Sequence, residues 1–142
     1  EDEDYLVPIG KASVKREGRD LSIITWSREV NFSLEAAQTL AAEGIDVEVL
    51  DLRSLVPLDW DAIVKSVSKT HNVIIVSEEV KRGSYAGELS AQIAEELFDE
   101  LDAPVERVCG LNIVPPFSPT LEDENFPHPD TIVKAVKRVL NK

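Results

Sequence analysis

The feature that most constrains the fold of this chain is the alternation of short apolar runs with longer stretches of helical periodicity. The runs at 21–25, 47–50 and 73–76 are mostly apolar, as is typical of strands buried on both faces of a sheet. The intervals between such runs carry apolar residues at helical spacing. Helices are predicted at 29–43, 60–67, 86–101 and 132–140, with a further strand at 105–108. This alternation predicts a largely parallel sheet with right-handed crossovers, and therefore an α/β protein built as a three-layer α/β/α sandwich.

The start of the chain predicts an antiparallel edge strand. Residues 12–16 also have an extended pattern, and the turn before 21–25 contains Gly18, which can adopt a positive φ. We therefore expect a β-hairpin here, and a mostly parallel sheet with one antiparallel edge strand. Residues 1–8 are predicted to be a linker or N-terminal arm, and residues 9–142 a single domain of ordinary size.

The net charge of the chain limits the classes of partner that it can be expected to bind. Its 142 residues include 27 acidic and 15 basic ones, for a net charge of −12. Nucleic acid is therefore disfavoured as a partner, because phosphate binding needs basic patches. The acidity suits a basic protein partner, although it would also serve solubility alone. No apolar run approaches the roughly 20 residues that span a bilayer, so no membrane partner is expected.

The single cysteine, Cys109, excludes an internal disulfide. Disulfides are rare where thiols are kept reduced. A lone cysteine is therefore typical of a reducing compartment, which would be the cytoplasm or an organelle matrix.

Motifs for phosphate, metal or nucleophilic chemistry are missing from the sequence. There is no Walker A loop and no G-x-G-x-x-G after the first long strand. His71 and His128 have no second ligand at helical spacing, as a metal site would require. The serines that end strands lack the flanking glycines of a nucleophile elbow. We therefore predict no catalytic, cofactor-binding or metal-binding residue in this chain.

Ligands of open α/β sheets bind beyond the carboxyl ends of the strands. Five polar residues are predicted to form the edge of any pocket there: Ser27, Arg28, Ser77, Glu78 and Arg82. The loop between Lys81 and Gly87 has a G-x-x-x-G pattern in front of a helix. It can be interpreted as a turn that packs the helix closely on the sheet, or as a loop whose amides bind an anion.

Several short segments carry a family resemblance. They are P-I-G-K-A at 8–12, D-L-R-S-L-V-P-L-D at 51–59, L-D-A-P at 101–104, V-C-G at 108–110 and P-P-F at 115–117. Together they resemble the C-terminal, transketolase-like domain in the beta subunit of thiamine-diphosphate-dependent 2-oxoacid dehydrogenases, of which pyruvate dehydrogenase is one. The match runs over nearly the whole chain.

The resemblance implies that the cofactor chemistry lies outside this chain. In that family the N-terminal part of the beta subunit and the alpha subunit hold thiamine diphosphate and magnesium, and the G-D-G diphosphate motif is not found here. Ser77 stands where many members have histidine. The full enzyme is expected to decarboxylate a 2-oxoacid oxidatively and acylate a lipoyl group. This domain alone is expected to be inactive and to bind no cofactor.

The resemblance also implies partners. These are the alpha subunit and a second beta subunit in a heterotetramer, and the basic peripheral-subunit-binding domain of the acyltransferase core. Asp102 and Glu106, on either side of Pro104, are the predicted docking residues. The alternative for Asp102 is a turn residue at a helix end, and for Glu106 an outward strand residue. Rival functions are the same domain of a transketolase or deoxyxylulose-phosphate synthase, and a free-standing small-anion-binding module.

Overall fold

A computed structural model describes residues 6–141 of the chain. The elements in chain order are β1 Ser13–Arg16, β2 Leu21–Thr25, α1 Glu29–Ala42, β3 Val47–Asp51, α2 Trp60–Thr70, β4 Val73–Val80, α3 Tyr85–Glu96, a 3-10 turn Phe98–Glu100, β5 Glu106–Gly110, α4 Pro119–Asp123 and α5 Pro129–Val139. The five predicted strands and four predicted helices are all present, whereas the short α4 was not predicted. Residues 1–5 of the predicted arm lie outside the described residues, and residues 6–8 precede the first strand.

The five strands form one mixed sheet in the order β1-β3-β2-β4-β5. β3, β2, β4 and β5 run parallel to one another, and β1 is antiparallel to β3. The predicted parallel sheet with an antiparallel edge strand is therefore confirmed. β5 forms the opposite edge of the sheet, next to β4.

The predicted hairpin is wrong, because β3 lies between β1 and β2. The connection from β1 to β2 passes against the start of β3. There the N–H groups of Arg19 and Asp20 donate to the Asp46 carbonyl at 2.9 and 2.8 Å. Gly18 does not supply a positive φ in this turn. A Cβ at Gly18 would overlap the backbone of Val47, so the glycine is required by the close approach of two chain segments.

Helices cover both faces of the sheet, which confirms the three-layer sandwich. The cluster under α1 and α5 contains Leu21, Ile23, Ala36, Ala37, Leu40, Val47, Val49, Ile74, Val76, Ile132, Ala135 and Val136. The cluster under α2 and α3 contains Ile24, Leu50, Leu52, Ile63, Val67, Val73, Ile75, Ala86, Leu89 and Ile93. Alternate residues of the central strands enter opposite clusters, as the pleat of a strand requires. Within residues 6–141, no helix is both long and apolar enough to cross a membrane.

Local sequence explains where the first two helices end or begin. α1 ends in a Schellman motif, in which Gly44 has a φ of +79° and the N–H of Ile45 donates to the Leu40 carbonyl at 3.0 Å. Asp59 is the N-cap of α2, and its side chain accepts a hydrogen bond from the Ala62 N–H at 3.4 Å. Both caps agree with the prediction.

α3 is shorter than predicted. It ends at Glu96 and is followed by the 3-10 turn, rather than continuing to Leu101. The turn lets Leu97 and Leu101 pack against the cluster under α2 and α3. The N–H of Asp102 then donates to the His71 carbonyl at 2.8 Å, which fixes the chain before β5.

Candidate functional site

The topology places a switch point at the carboxyl ends of β2 and β4. β2 leads into α1 on one face of the sheet, and its neighbour β4 leads into α3 on the other face. Ser27 and Arg28 follow β2, while Ser77 and Glu78 lie in the second half of β4. Four of the five predicted pocket-edge residues therefore lie at the end of the sheet where ligands of such folds bind.

Arg28 is the centre of this group. Its Nε lies 3.7 Å from Oε2 of Glu78, and its Nη2 lies 3.8 Å from Oε1 of Glu29. The guanidinium also lies 4.5 Å from the ring centroid of Phe126 and 5.5 Å from that of Phe32, within the range of cation–π attraction. Arg28 is thus engaged by two carboxyl groups and two aromatic rings at once.

The two serines have structural contacts. Ser27 adopts a φ of 58° at the turn into α1. Ser77 is buried, and its hydroxyl accepts a hydrogen bond from the Glu79 N–H at 3.3 Å and donates to Oε2 of Glu79 at 3.4 Å. The Ser77 hydroxyl is therefore engaged within its own strand.

Arg82 lies apart from the Arg28 group. It is exposed, and its backbone N–H donates to Oδ1 of Asn112 at 2.8 Å. It lines a shallow cavity of about 310 Å³ together with Val80, Asn112, Ile113 and Val114. The five predicted residues thus divide between the switch point and the loop after β4, and a ligand for either place stays a prediction.

Glu79 occupies the helix N-terminus that was considered as an anion site. Its Oε2 accepts a hydrogen bond from the Tyr85 N–H, in the first turn of α3, at 3.1 Å. A carboxylate in this position complements the positive end of the helix dipole. On the same helix, a Cβ at Gly87 would lie 3.2 Å from Nη1 of Arg107. These contacts favour a packed turn over an open anion-binding loop.

Sequence reasoning missed Glu29, the most unusual residue of the switch point. Glu29 is fully buried, and within residues 6–141 neither of its carboxyl oxygens has a hydrogen-bond partner. Burial raises the pKa of Glu29 to about 7, Glu78 adds to the rise, and Arg28 and His128 oppose it. An acidic residue in the first turn of a helix is usually an exposed dipole partner, so the sequence alone gave no signal of its burial.

The predicted docking residues lie in different surroundings. Asp102 is exposed in the turn before β5. Glu106 is half-buried, and both of its carboxylate oxygens bind the guanidinium of Arg138 on α5, with an Nε to Oε2 distance of 3.2 Å. This pairing raises the pKa of Arg138. Glu106 is therefore already engaged, and Asp102 presents the more accessible carboxylate.

Two shallow cavities border the chain between these residues. One, of about 410 Å³, is mainly apolar and is lined by Ala94, Phe98, Leu101 and Pro104 among others. The other, of about 460 Å³, lies on the side of Arg107 and Arg138. The side chain of Phe98 is 73% exposed at the first cavity. The Pro104 turn thus separates an apolar groove from a charged one.

The two histidines are hydrogen-bonded to backbone carbonyls, and the cysteine is partly buried. Nδ1 of His71 is hydrogen-bonded to the Glu100 carbonyl at 2.8 Å, and Nε2 of His128 to the Asp123 carbonyl at 2.8 Å. Cys109 is half-buried, and burial raises the pKa of its thiol. Among the described residues, no group of three or more histidine, cysteine or acidic side chains could hold a metal ion.

The crossing segment, residues 111–128, links β5 to α5 and carries an exposed apolar surface. Its large side chains with at least 49% of their surface exposed are Leu111, Ile113, Val114, Phe117 and Leu121. Contiguous exposed apolar patches mark interaction surfaces, so this segment is a candidate for one.

Comparison with known proteins identifies the class of this domain. Residues 10–132 match the family described as the transketolase C-terminal domain. The chain belongs to this family, and the predicted resemblance is confirmed.

Three relatives that are 44–48% identical to this chain are beta subunits. The chain is 44% identical over its whole length to a mitochondrial pyruvate dehydrogenase E1 component subunit beta of Dictyostelium discoideum, and covers 40% of that protein. It is 48% identical to the corresponding yeast subunit, over 97% of this chain and 38% of that one. It is 46% identical to the beta subunit of an acetoin:2,6-dichlorophenolindophenol oxidoreductase of Bacillus subtilis, over 97% of this chain and 40% of that one. The chain therefore spans about 40% of the length of these relatives.

Solved structures agree on the fold. A chain described as a split gene transketolase, inactive beta4 tetramer, superposes with a TM-score of 0.79 at 30% identity, over 97% of this chain and 44% of that one. A transketolase of Pichia stipitis has a TM-score of 0.66 at 14% identity, over 93% of this chain and 18% of that one, and shows the fold alone.

Proposed function

We propose that this chain is the C-terminal assembly and docking domain of the beta subunit of a 2-oxoacid dehydrogenase, most simply one that acts on pyruvate. The observation that carries the proposal is the 44–48% identity to pyruvate dehydrogenase beta subunits of Dictyostelium and yeast over nearly every residue of the chain. The complete enzyme would decarboxylate its 2-oxoacid oxidatively and pass the acyl group to a lipoyl group. Such an enzyme would work in the mitochondrial matrix or the bacterial cytoplasm, because one similar protein is mitochondrial and another comes from Bacillus subtilis.

The proposal assigns the cofactor to other parts of the enzyme. The described residues do not fit magnesium and a diphosphate, because Glu79 fills the N-terminus of α3 and no acidic cluster suited to a metal ion exists within residues 6–141. Thiamine diphosphate and magnesium would accordingly be held by the alpha subunit and the remaining part of the beta subunit.

Isothermal titration calorimetry tests this assignment. The chain is titrated with thiamine diphosphate in the presence of magnesium, and we expect no binding heat. A 1:1 isotherm in the micromolar range would contradict the assignment and show that the chain contains a cofactor site.

The crossing segment supports a role in assembly with the alpha subunit and a second beta subunit. Its side chains of Val114 and Phe117 are 88% and 102% exposed, which is the exposure expected of residues that are buried only in a complex. Phe117→Asp should leave the isolated chain folded. In the complete beta subunit, coexpressed with the alpha subunit, the same change should reduce recovery of the heterotetramer. The exposed change Gln38→Asp, on α1, serves as control.

The Pro104 turn supports docking of the peripheral-subunit-binding domain. Asp102 supplies an exposed carboxylate beside an apolar groove that contains the exposed Phe98, and the whole chain is acidic. Basic side chains could meet Asp102 while apolar ones enter the groove. Glu106 would take part only if a basic partner shared it with Arg138.

The rival functions have less support. Transketolase chains of known structure share the fold at 30% identity or below, whereas the beta subunits reach 48% identity. The cap that Glu79 places on α3 weighs against a free-standing anion-binding module.

A further inference from the structure

The switch point contains a buried carboxyl group that the proposed function does not use. Glu29 begins α1, has no exposed surface, and makes no hydrogen bond from either carboxyl oxygen within the described residues. Burial without hydrogen bonds disfavours the ionised form of a carboxyl group strongly. The neutral form is thus the one that this site accommodates.

Three charged or titratable groups face Glu29. Arg28 precedes it on the same turn, Glu78 comes from β4, and His128 comes from the turn into α5. The nearest guanidinium nitrogen of Arg28 lies 3.8 Å from Glu29, beyond hydrogen-bonding distance. Arg28 lies at nearly the same distance from Glu78, 3.7 Å, and its guanidinium lies against the ring of Phe126.

The same group of residues holds the crossing segment against the start of α1. Phe126 lies under Arg28, and the ring of His128 lies 5.5 Å from that of Phe32 on α1. Within the segment, the N–H of Leu111 donates to the carbonyl of the buried Asn125 at 3.1 Å, which ties its two ends together. The C-terminal end of the segment is therefore held by contacts made next to Glu29.

Ionisation of Glu29 would disturb these contacts. A buried carboxylate needs a hydrogen-bonded partner or water. The nearest cation is Arg28, and a shift of Arg28 toward Glu29 takes its guanidinium off the Phe126 ring. Entry of water next to Glu29 would separate the same surfaces. Either response weakens the attachment of the crossing segment.

We propose that Glu29 is a proton-dependent latch, which holds the crossing segment against the start of α1 when its carboxyl group is neutral and loosens it when the group is ionised. Because the segment carries the exposed apolar side chains, the latch would make their presentation to a partner depend on pH. The inference concerns this chain alone and stands or falls independently of the proposed enzyme.

The sign of the pH dependence follows from linkage. Burial raises the pKa of Glu29 from an ordinary 4.5 to about 7 when the segment is attached. Attachment is then favoured fully below about pH 4.5 and is progressively weakened as the pH rises through 7. The contrast between pH 5 and pH 8 is therefore the informative one.

Hydrogen–deuterium exchange tests the latch in the chain itself. Exchange at pH 5 and pH 8, corrected for the intrinsic rate, is measured for Leu111, Asn125 and Phe126 and for amides of β2 and β4. In the wild type we expect opening of the segment to rise at least tenfold at pH 8, with the strands unchanged. Glu29→Gln should abolish the rise, and Glu35→Gln, which removes an exposed carboxylate from the same helix, should preserve it.

Three results would overturn the latch. They are an unchanged rise in Glu29→Gln, an equal rise in the strands, and loss of the rise in His128→Asn, since histidine also can change its charge between pH 5 and 8. If Glu29→Gln does not fold, carbon-13 titration of the wild-type Glu29 carboxyl group decides. A midpoint near 7, shared by the Phe126 ring signals, supports the latch, and a midpoint near 4.5 refutes it.

Discussion

At the scale of single residues, Gly18 is the position where an added methyl group should be most harmful. A Cβ would overlap the Val47 backbone, and neither main chain can move without breaking the bonds to the Asp46 carbonyl. Overpacking of this kind costs about 1–3 kcal/mol. We therefore expect Gly18→Ala to lower the free energy of unfolding by about 2 kcal/mol in urea titrations. The exposed Gln38→Ala should stay within about 0.5 kcal/mol, and equal effects of the two changes would contradict the close approach.

Asp59 gives a second test at this scale, through pH. Its carboxylate accepts hydrogen bonds from Ala62 and from Ala12, the latter at 3.1 Å. Burial raises the pKa of Asp59, but these hydrogen bonds and nearby Lys11 lower it by more, so that the net shift of the pKa is downward. Its contribution is thus present above its ordinary pKa and lost as the pH falls through the lowered value. Asp59→Ala should cost about 1–2 kcal/mol at pH 7, typical of a lost cap, and less near pH 3. Glu35→Ala, which removes an exposed carboxylate from the middle of α1, should show neither effect when assayed identically.

At the scale of elements, the start of α3 depends on a side chain from β4. Glu79 bonds the first-turn N–H of Tyr85, so Glu79→Ala leaves that donor without its partner. We expect a loss of about 1 kcal/mol in the free energy of unfolding and faster exchange of the Tyr85 amide. Glu88→Ala, an exposed change in the same helical turn, is the control. Added phosphate should restore part of the stability in Glu79→Ala alone. Restoration in the wild type as well would show that Glu79 does not fill the site.

The same scale shows what the sequence could predict. Strands and helices were predictable because their apolar periodicity and caps, such as Gly44 and Asp59, are local signals. The position of β1 was not predictable, because the insertion of β3 between β1 and β2 is a pairing of distant segments. The hairpin was therefore predicted wrongly. The switch point followed from topology, so the position of Arg28 and Glu78 at the ends of β2 and β4 could be predicted, whereas their binding of a ligand stays a prediction. The burial of Glu29 was not predictable, since it depends on Phe126 and His128, about a hundred residues away in sequence, covering the start of α1.

At the scale of the whole molecule, the domain separates two surfaces. The crossing segment projects at the carboxyl end of β5, and the Pro104 turn lies before the other end of that strand. A parallel strand of five residues thus has an exposed apolar segment at one end and an acidic turn at the other. If the proposed assembly and docking surfaces are these two, two partners could bind without competing.

Charge reversal at the Pro104 turn should weaken docking of the peripheral-subunit-binding domain. In the full heterotetramer, Asp102→Lys with Glu106→Lys should weaken binding of the peripheral-subunit-binding domain at least about tenfold by surface plasmon resonance, because like charges would then face its basic side chains. Asp102→Lys alone should account for most of the loss, since Glu106 is already paired with Arg138. Wild-type affinity should fall as salt rises, as for partly exposed charges. Asp61→Lys, which changes the charge on α2 by as much as Asp102→Lys alone does at the turn, is the net-charge control for that single variant. Unchanged affinity in the double variant, with the fold intact, would place the docking surface elsewhere on the domain.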